Sequence, residues 1–352
     1  MKTFITGATG YIGGDALYAL LKAHPEAESD ITALVRNSDK GALIAAKYPK
    51  INLVYGDLNS ADLLEEEAKK ADAIFHFADA DHEGAAEALA KGLAAHTEEH
   101  PGFLVHTSGT GLLMTGDVER KVFGGTSTKI YNDWDGLSEV TSLPDYAFHR
   151  ITDKIILAAG TSKPGAAKTA IVCPPTIYGL GRGIGNKRSA QVYELIKGTF
   201  QVKHGIQIGE GKAIMDDIHV YDLSDLYVRF YEAATEGGGK ATWGKDGYYF
   251  VENGEHVWGE VAKKVANIAH KKGLIPTAEV KVVPDDEANK ISPGGHVLWG
   301  ANSRGKALRA RKLLGWEAKE RNLNDELPDA VTQEAERLGL IQGHAAKAAG
   351  TA

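Results

Sequence analysis

The sequence predicts an α/β protein, a Rossmann doubly wound parallel sheet with a smaller C-terminal substrate lobe. Three observations carry that prediction. The first half alternates short apolar runs with amphipathic stretches, the pattern of a parallel sheet with helices on both faces. A glycine-rich segment, Thr6-Gly7-Ala8-Thr9-Gly10-Tyr11-Ile12-Gly13, directly follows the first apolar run. After Cys173 the alternation loosens into a Gly-rich loop followed by short, irregular elements.

Residues 3–6 open the sheet, and the glycine segment leads into a helix over 12–23 whose Ile12, Ala16, Leu17 and Leu20 recur at helical spacing. Further strands are expected at 31–35, 51–55, 73–77, 103–107 and 169–173, with helices at 61–69, 83–96 and 146–159. Ligands of a doubly wound sheet sit beyond the carboxyl ends of its strands. The chemistry is therefore expected just after Thr6, Val35, Phe77, Thr107 and Cys173. Residues 1–177 form the expected dinucleotide-binding domain, with returning segments at about 214–252. Residues 178–213 and 253–342 form the substrate lobe, opening with the Gly-rich loop 178–185 and a helix over 189–197. The Ala-rich stretch 343–352 is expected to be a disordered tail.

Composition narrows the function classes. The chain has 352 residues, 43% hydrophobic and 25% charged, which suits a globular protein. A net charge of -7 and a pI near 6.0 argue against nucleic acid as a partner, since phosphate binding needs a clustered basic surface. No apolar run approaches the roughly 20 residues of a membrane helix, and a strand starting at Lys2 leaves no room for a signal peptide, so the cytoplasm is expected. The single cysteine, Cys173, allows no intrachain disulfide, and the 13 histidines lack His-Glu-x-x-His spacing, so no metal site is expected. A small-molecule substrate is expected, handled by a monomer or homodimer.

In the glycine segment, Gly7 permits a tight turn, Gly10 lets backbone approach a pyrophosphate, and Gly13 lets the helix pack close to the sheet. The helix N-terminus then offers free N–H groups and a positive dipole end to the phosphates. The second strand ends Leu34-Val35-Arg36-Asn37, with no acidic side chain to bond a ribose 2′-hydroxyl. Arg36 can bond a 2′-phosphate and stack on adenine, which favours NADP over NAD, although a surface arginine is the plainer alternative.

Several further segments carry a family resemblance. Gly56-Asp57-Leu58, His76-Phe77-Ala78 and Val105-His106-Thr107-Ser108-Gly109 follow the third, fourth and fifth strands or close them. Pro174-Pro175-Thr176-Ile177-Tyr178-Gly179, Ile218-His219-Val220-Tyr221-Asp222-Leu223 and Ser303-Arg304 through Leu314-Gly315-Trp316 come later in the same order. With the glycine segment, they make the chain similar to extended or atypical short-chain dehydrogenases/reductases of the NAD-dependent epimerase/dehydratase type. The resemblance implies dinucleotide contacts from Gly7, Thr9, Gly10, Tyr11, Ile12, Gly13, Asp57, Leu58, Phe77, Ala78, Pro174 and Lys154. Asp57 and Leu58 would meet adenine, and Phe77 and Ala78 the nicotinamide ribose. Pro174 would pass beside the nicotinamide. Asp222 is read as a helix cap.

The family's catalytic set is a Ser or Thr after the fifth strand and a Tyr-x-x-x-Lys on the next helix. The only fitting lysine is Lys154, which puts Arg150 at the tyrosine position. A guanidinium stays protonated and cannot donate a proton as a phenol does. The hydroxyl position falls near Gly109, leaving Ser108 or Thr110 as neighbours, and His149-Arg150-x-x-Asp153 is similar to an arrangement in fungal relatives. Lys154 ranks first as the proton-transfer group, as in isoflavone-reductase-like relatives, ahead of Tyr146, His149 and Tyr178.

The expected function is an NADP-dependent oxidoreductase acting on a carbonyl or alcohol of a small organic molecule, with NAD possible. Lys154 would hold the ribose, Arg150 anchor an oxygen, and Thr110 or Ser108 bond the reacting oxygen. Two alternatives stand beside it: an epimerase, dehydratase or other non-redox enzyme on the same fold, and a catalytically silent NADP-binding regulatory protein. Trp258, His296 and Trp299 are candidates for the substrate pocket, with core packing as the plainer role.

Overall fold

A computed structural model describes residues 1–342. The segment expected to be a disordered tail, 343–352, lies outside the described residues. Strands β1 (Thr3–Thr6), β2 (Ile31–Val35), β3 (Asn52–Tyr55), β4 (Ala73–His76) and β5 (Gly102–Thr107) join strands Ala167–Cys173 and Tyr248–Phe250 in a seven-stranded sheet. Its order from one edge is Tyr248–Phe250, Ala167–Cys173, β5, β4, β1, β2, β3, with every pair parallel. This is the predicted doubly wound sheet, with one strand more than the periodicity reveals. The seventh strand, Tyr-Tyr-Phe, is too short to show a period by itself.

Strands β1, β4 and β5 are buried at every position, as strands covered on both faces must be, and most of their side chains are apolar, with Thr3, Thr6, His76, His106 and Thr107 as buried polar exceptions. Helix α1 (Tyr11–Ala23) buries Leu17, Leu20 and Leu21 with the small Gly13, Gly14 and Ala16, and packs beside helix Val220–Thr235 on one face of the sheet. Helices α3 (Ala61–Lys70), α4 (Glu83–Leu93) and Arg150–Ser162 cover the other face. Helix α2 (Ser38–Lys47) was not expected. It buries only Gly41 and Ile44, and it is started by the Asn37 side chain accepting from the Lys40 N–H at 3.0 Å.

The last helix of this face starts at Arg150, not near 146. Residues 144–149 form turns in which the Ala147 N–H donates to the Pro144 carbonyl and the Arg150 N–H to that of Ala147. His149 takes a left-handed backbone before the first helical residue.

The lobe has its own core, in which Tyr178, Tyr193, Ile196, Trp258, Val265, Trp299 and Leu327 meet. Helices Gln191–Val202, Trp258–Lys271 and Leu323–Arg337 enclose it. Trp258 and Trp299 are thus packing residues, each 2% exposed. Within 214–252 only part returns to the main sheet. Strand Ile214–His219 pairs with Thr176–Tyr178 and Glu255–Val257 in a separate three-stranded sheet, while helix Val220–Thr235 and strand Tyr248–Phe250 join the main unit. Ala307, Ala310 and Trp316 also pack into the main core. Asp222 is not the cap of helix Val220–Thr235: the cap is His219, whose Nδ1 accepts from the Tyr221 N–H at 3.1 Å. Asp222 instead accepts from the N–H groups of Lys319 and Glu320. No helix among the described residues is long and apolar enough to cross a membrane.

Candidate active site

A cleft of about 610 Å³ runs along the carboxyl ends of β1, β2 and β4, with Gly7, Thr9, Gly10, Arg36, Asp57, Leu58, Phe77 and Ala78 in its wall. That size suits a sizeable organic ligand. Eight residues carried over from the glycine segment and the strand ends therefore converge.

The glycine loop has the backbone a dinucleotide needs. Gly7 has φ +77°, and a Cβ there would lie 2.9 Å from the Ala78 nitrogen. A Cβ on Gly13 would lie 2.5 Å from the Gly7 carbonyl oxygen and 2.9 Å from Phe77 Cβ, so the helix and the strand ends touch through this glycine. A Cβ on Gly10 would meet only the Gly7 oxygen, at 3.1 Å. No side chain among the described residues caps α1 at Gly10, and its first turn has no acidic residue. Its first N–H groups and positive dipole end are thus available to an anion. These features fit a pyrophosphate.

Tyr11 and Ile12 act through packing. Tyr11 Oη donates to the carbonyls of Tyr178 and Gly179, at 3.0 and 2.6 Å, and burial raises its pKa well above the usual phenol range. The phenol thereby ties the loop after Tyr178 to the glycine helix. Ile12 packs against the main core and, with Pro175, Ile177, Arg188 and Gln191, lines a second groove of about 300 Å³. Asn186 borders both spaces and crosses the glycine loop, its N–H donating to the Thr9 carbonyl at 3.0 Å. At the adenine end, exposed Arg36 is joined by Lys40 from the first turn of α2. Asn59 and His82, bonded to each other at 3.2 Å, complete the wall near Asp57. Lys40, Asn59, His82 and Asn186 were not singled out from sequence. Lys40 follows the β2 end by one helical turn, which is a legible signal, whereas Asn186 arrives by tertiary folding.

The expected catalytic residues do not all gather at this cleft. Lys154 Nζ bonds both carboxylate oxygens of Asp145, at 2.8 and 2.9 Å, and its side chain is half exposed. Arg150 is buried with its guanidinium on the carbonyls of Leu143 and Thr141. It pins the preceding turn. Tyr178 is a correction: its ring is fully buried and its hydroxyl donates to the Arg321 carbonyl at 2.8 Å, with burial raising its pKa far from any working pH. Tyr146, 69% exposed, also stands apart. Ser108 and Thr110 are buried after β5, where the Thr110 N–H donates to the Pro174 carbonyl at 3.0 Å.

The helix face turned to the sheet carries different residues. Asp153, Ile156 and Gly160 are buried along it, and His149 stands just before the helix. Asp153 accepts from Tyr248 Oη at 2.7 Å and lies beside Ser108 and Cys173, and burial pushes its pKa up to about 6. His149 Nδ1 lies 2.8 Å from Asp81 Oδ1, and that bond lowers the Asp81 pKa. Beneath them the rings of His76 and His106 stack 5.2 Å apart, and burial depresses the pKa of both, that of His76 to about 4. His76 Nδ1 is tied to Thr6 Oγ1 at 2.6 Å. These two are neutral core histidines.

The model of the NAD dependent epimerase/dehydratase family matches residues 3–243. The chain belongs to this family. Among curated relatives, the oxidase ucsJ of an Acremonium species is 40% identical over 346 residues, covering 96% of this chain and 99% of its own. A Saccharomyces cerevisiae protein, YLL056C, is 23% identical over 93% of this chain and 98% of its own. Among solved structures, the dTDP-glucose 4,6-dehydratase DesIV of Streptomyces venezuelae, with NAD and TYD bound, superposes with a TM-score of 0.66 at 19% identity, covering 97% of this chain and 99% of that one. The UDP-glucose 4-epimerase of Thermotoga maritima gives 0.64 at 13% identity, over 96% and 100%. At these identities the structures establish the family's fold, the doubly wound sheet predicted from the sequence.

Proposed function

We propose that the protein is an NADP-dependent oxidoreductase that interconverts a carbonyl and an alcohol on a small organic molecule. The observation that carries this is the cleft itself. An uncapped helix N-terminus and side-chain-free Gly7 and Gly10 sit at its middle, Arg36 and Lys40 at one end, and Phe77 and Ala78 at the other. Two cations where β2 ends favour a 2′-phosphate, because each adds a charge-assisted bond that NAD cannot use. The 40% identical relative named an oxidase supports redox chemistry, and the NAD bound in the DesIV structure supports a nicotinamide dinucleotide.

When bound, the reduced cofactor supplies hydride to a carbonyl carbon. The chain's own part is to hold the pyrophosphate at α1, select the 2′-phosphate with Arg36 and Lys40, and border the reacting end with the turns after β4 and β5. The groove of Ile12, Pro175, Ile177 and Gln191 gives the substrate a mostly apolar wall beside that end.

Calorimetric titration with NADPH and NADH, followed by NADPH absorbance with a panel of aldehydes and ketones, tests this. Saturable binding with NADPH preferred by about 10-fold or more, equivalent to ~1.4 kcal/mol, is expected together with turnover of at least one carbonyl. No saturable binding of either dinucleotide would refute the assignment, and binding without turnover would favour a regulatory NADP-binding protein.

A further inference from the structure

Helix Arg150–Ser162 is entered through His149, whose backbone stands at φ 66° and ψ −9°. The other non-glycine residues with positive φ among the described residues, Lys121 and Lys203, follow helix C-termini, where a left-handed residue is ordinary. A helix start normally takes an extended residue. The geometry at His149 is therefore held against local preference, a kind of strain that gathers at functional positions.

Its effect is to aim the ring. Nδ1 is held by Asp81, and Nε2 lies 3.0 and 3.1 Å from the points where Cβ atoms of residues 109 and 111 would stand. Both positions are glycine, so the imidazole enters space that any side chain there would fill. Asp81 belongs to the turn after β4 whose Ala78, Asp79 and His82 line the cleft, and Gly109 follows β5. The ring thus bridges the carboxyl ends of two central strands, where a doubly wound sheet does its chemistry.

We propose that His149, oriented by Asp81, is the proton-transferring group of this site, a His–Asp pair in place of the phenol that position 150 lacks and of the Lys154 ammonium, which is bonded to Asp145. This rests on the oxidoreductase assignment above. Donation from Nδ1–H to the Asp81 carboxylate fixes the tautomer, leaves the lone pair of the neutral ring on Nε2, and stabilises the imidazolium. In the reducing direction the Nε2–H proton passes to the carbonyl oxygen as its carbon gains the two-electron hydride that NADPH supplies. The C=O π bond is replaced by a C–H and an O–H bond, and the imidazole recovers its proton from water. Alcohol oxidation runs the same transfers in reverse.

The titratable groups around the ring suit this role. Asp81 faces it from the β4 turn as a carboxylate of lowered pKa, His106 lies below on β5 and is kept neutral by burial, and Asp153 follows one turn along the helix with its pKa raised to about 6. The neighbouring Arg150 guanidinium is turned to backbone carbonyls. Asp81 is a positioning residue, and His149 the catalytic one.

Two measurements test the pair. Turnover of benzaldehyde, phenylglyoxal and cyclohexanone with NADPH is compared in wild type, His149→Gly and Asp81→Asn. Glycine accepts the left-handed backbone, so His149→Gly should melt no earlier than wild type. Its kcat should fall by about 100-fold or more, with KM for NADPH changed by less than about threefold, and added imidazole should restore part of the rate. Asp81→Asn should lower kcat by about 10-fold and displace the pH profile. A His149→Gly enzyme within about threefold of wild-type kcat would overturn the pair and leave the oxidoreductase assignment standing.

The second measurement is the pKa of His149 by NMR of nitrogen-labelled histidine, with and without NADP⁺. The nicotinamide cation should lower it. A His149 titration unmoved by saturating NADP⁺ overturns the pair whatever the kinetics show. A wild type idle on all three carbonyls, with His149 responding to NADP⁺, overturns the oxidoreductase assignment while supporting the placement of the pair beside the nicotinamide.

Discussion

Alanine at Gly10 and alanine at Gly13 are expected to fail in different ways, because the two missing Cβ atoms point to different places. At Gly13 the Cβ would stand 2.5 Å from the Gly7 oxygen and 2.9 Å from Phe77 Cβ, where ordinary contact begins near 3.4 Å. Both neighbours are backbone or core and cannot swing aside, so α1 must move away from the turn after β1. Overpacking of this kind costs about 1–3 kcal/mol. At Gly10 the backbone has φ −78° and ψ 176°, open to any residue, and the Cβ would touch only the Gly7 oxygen, at 3.1 Å. Lower entropy of the unfolded chain contributes ~0.4–1 kcal/mol in favour of alanine, which offsets that contact. Gly10→Ala should therefore stay within about 1 kcal/mol of wild-type stability, yet lose about 10-fold or more in NADPH affinity because its methyl stands in the cleft. Urea denaturation and calorimetric titration of both variants separate the two effects. Wild-type NADPH affinity in Gly10→Ala, or a stability loss equal to that of Gly13→Ala, would refute this account of the loop.

Three further outcomes follow from the same geometry. Arg36→Ala combined with Lys40→Ala should weaken NADPH by about 10-fold or more while changing NADH by less than about threefold, read by parallel titrations; equal losses for both would remove the 2′-phosphate role. Lys154→Ala should leave NADPH affinity and carbonyl turnover within about threefold of wild type, since its ammonium is bonded to Asp145 on the outer side of the helix, and a loss near 100-fold would return Lys154 to the site. Asp216 is buried, accepts from the Gly305 N–H, and has its pKa pushed up to about 8 from 3.8 by burial. Between those values the folded chain binds the extra proton, so this group's contribution to stability falls as pH rises from about 4 to about 8 and is flat above. Asp216→Asn should flatten that slope, with denaturation midpoints at pH 6 and pH 8 drawing closer than in wild type; an unchanged difference would count against the shift.

The sheet and the dinucleotide end of the cleft were legible because both rest on local signals. Apolar runs such as Ala73-Ile74-Phe75 must lie in a covered parallel strand, and Gly7, Gly10 and Gly13 in their spacing after β1 admit few other uses. What was not legible depended on partners far along the chain. Tyr178 seemed to face substrate because it ends a strand, but the Arg321 carbonyl, from residues far downstream, claims its hydroxyl. The edge strand Tyr248–Phe250 is recognisable only from its pairing with Ile171, Val172 and Cys173.

The reacting end failed for a subtler reason. Residues 150 and 154 are four apart, as are 149 and 153, and either pair lies on one face of a helix. Spacing cannot say which face turns inward, and the lysine made the first pair attractive on chemical grounds. The fold selects the second: Asp153 is fully buried against Tyr248 while Lys154 is half exposed. A shift of one residue rotates a helical side chain by about 100° about the axis, enough to put the Asp153 carboxylate where the Lys154 ammonium was expected, and the left-handed His149 then brings its imidazole in ahead of Arg150. The glycines at 109 and 111 were the sequence's own trace of that arrangement, since a hydroxyl side chain at 109 and the ring of His149 need the same space.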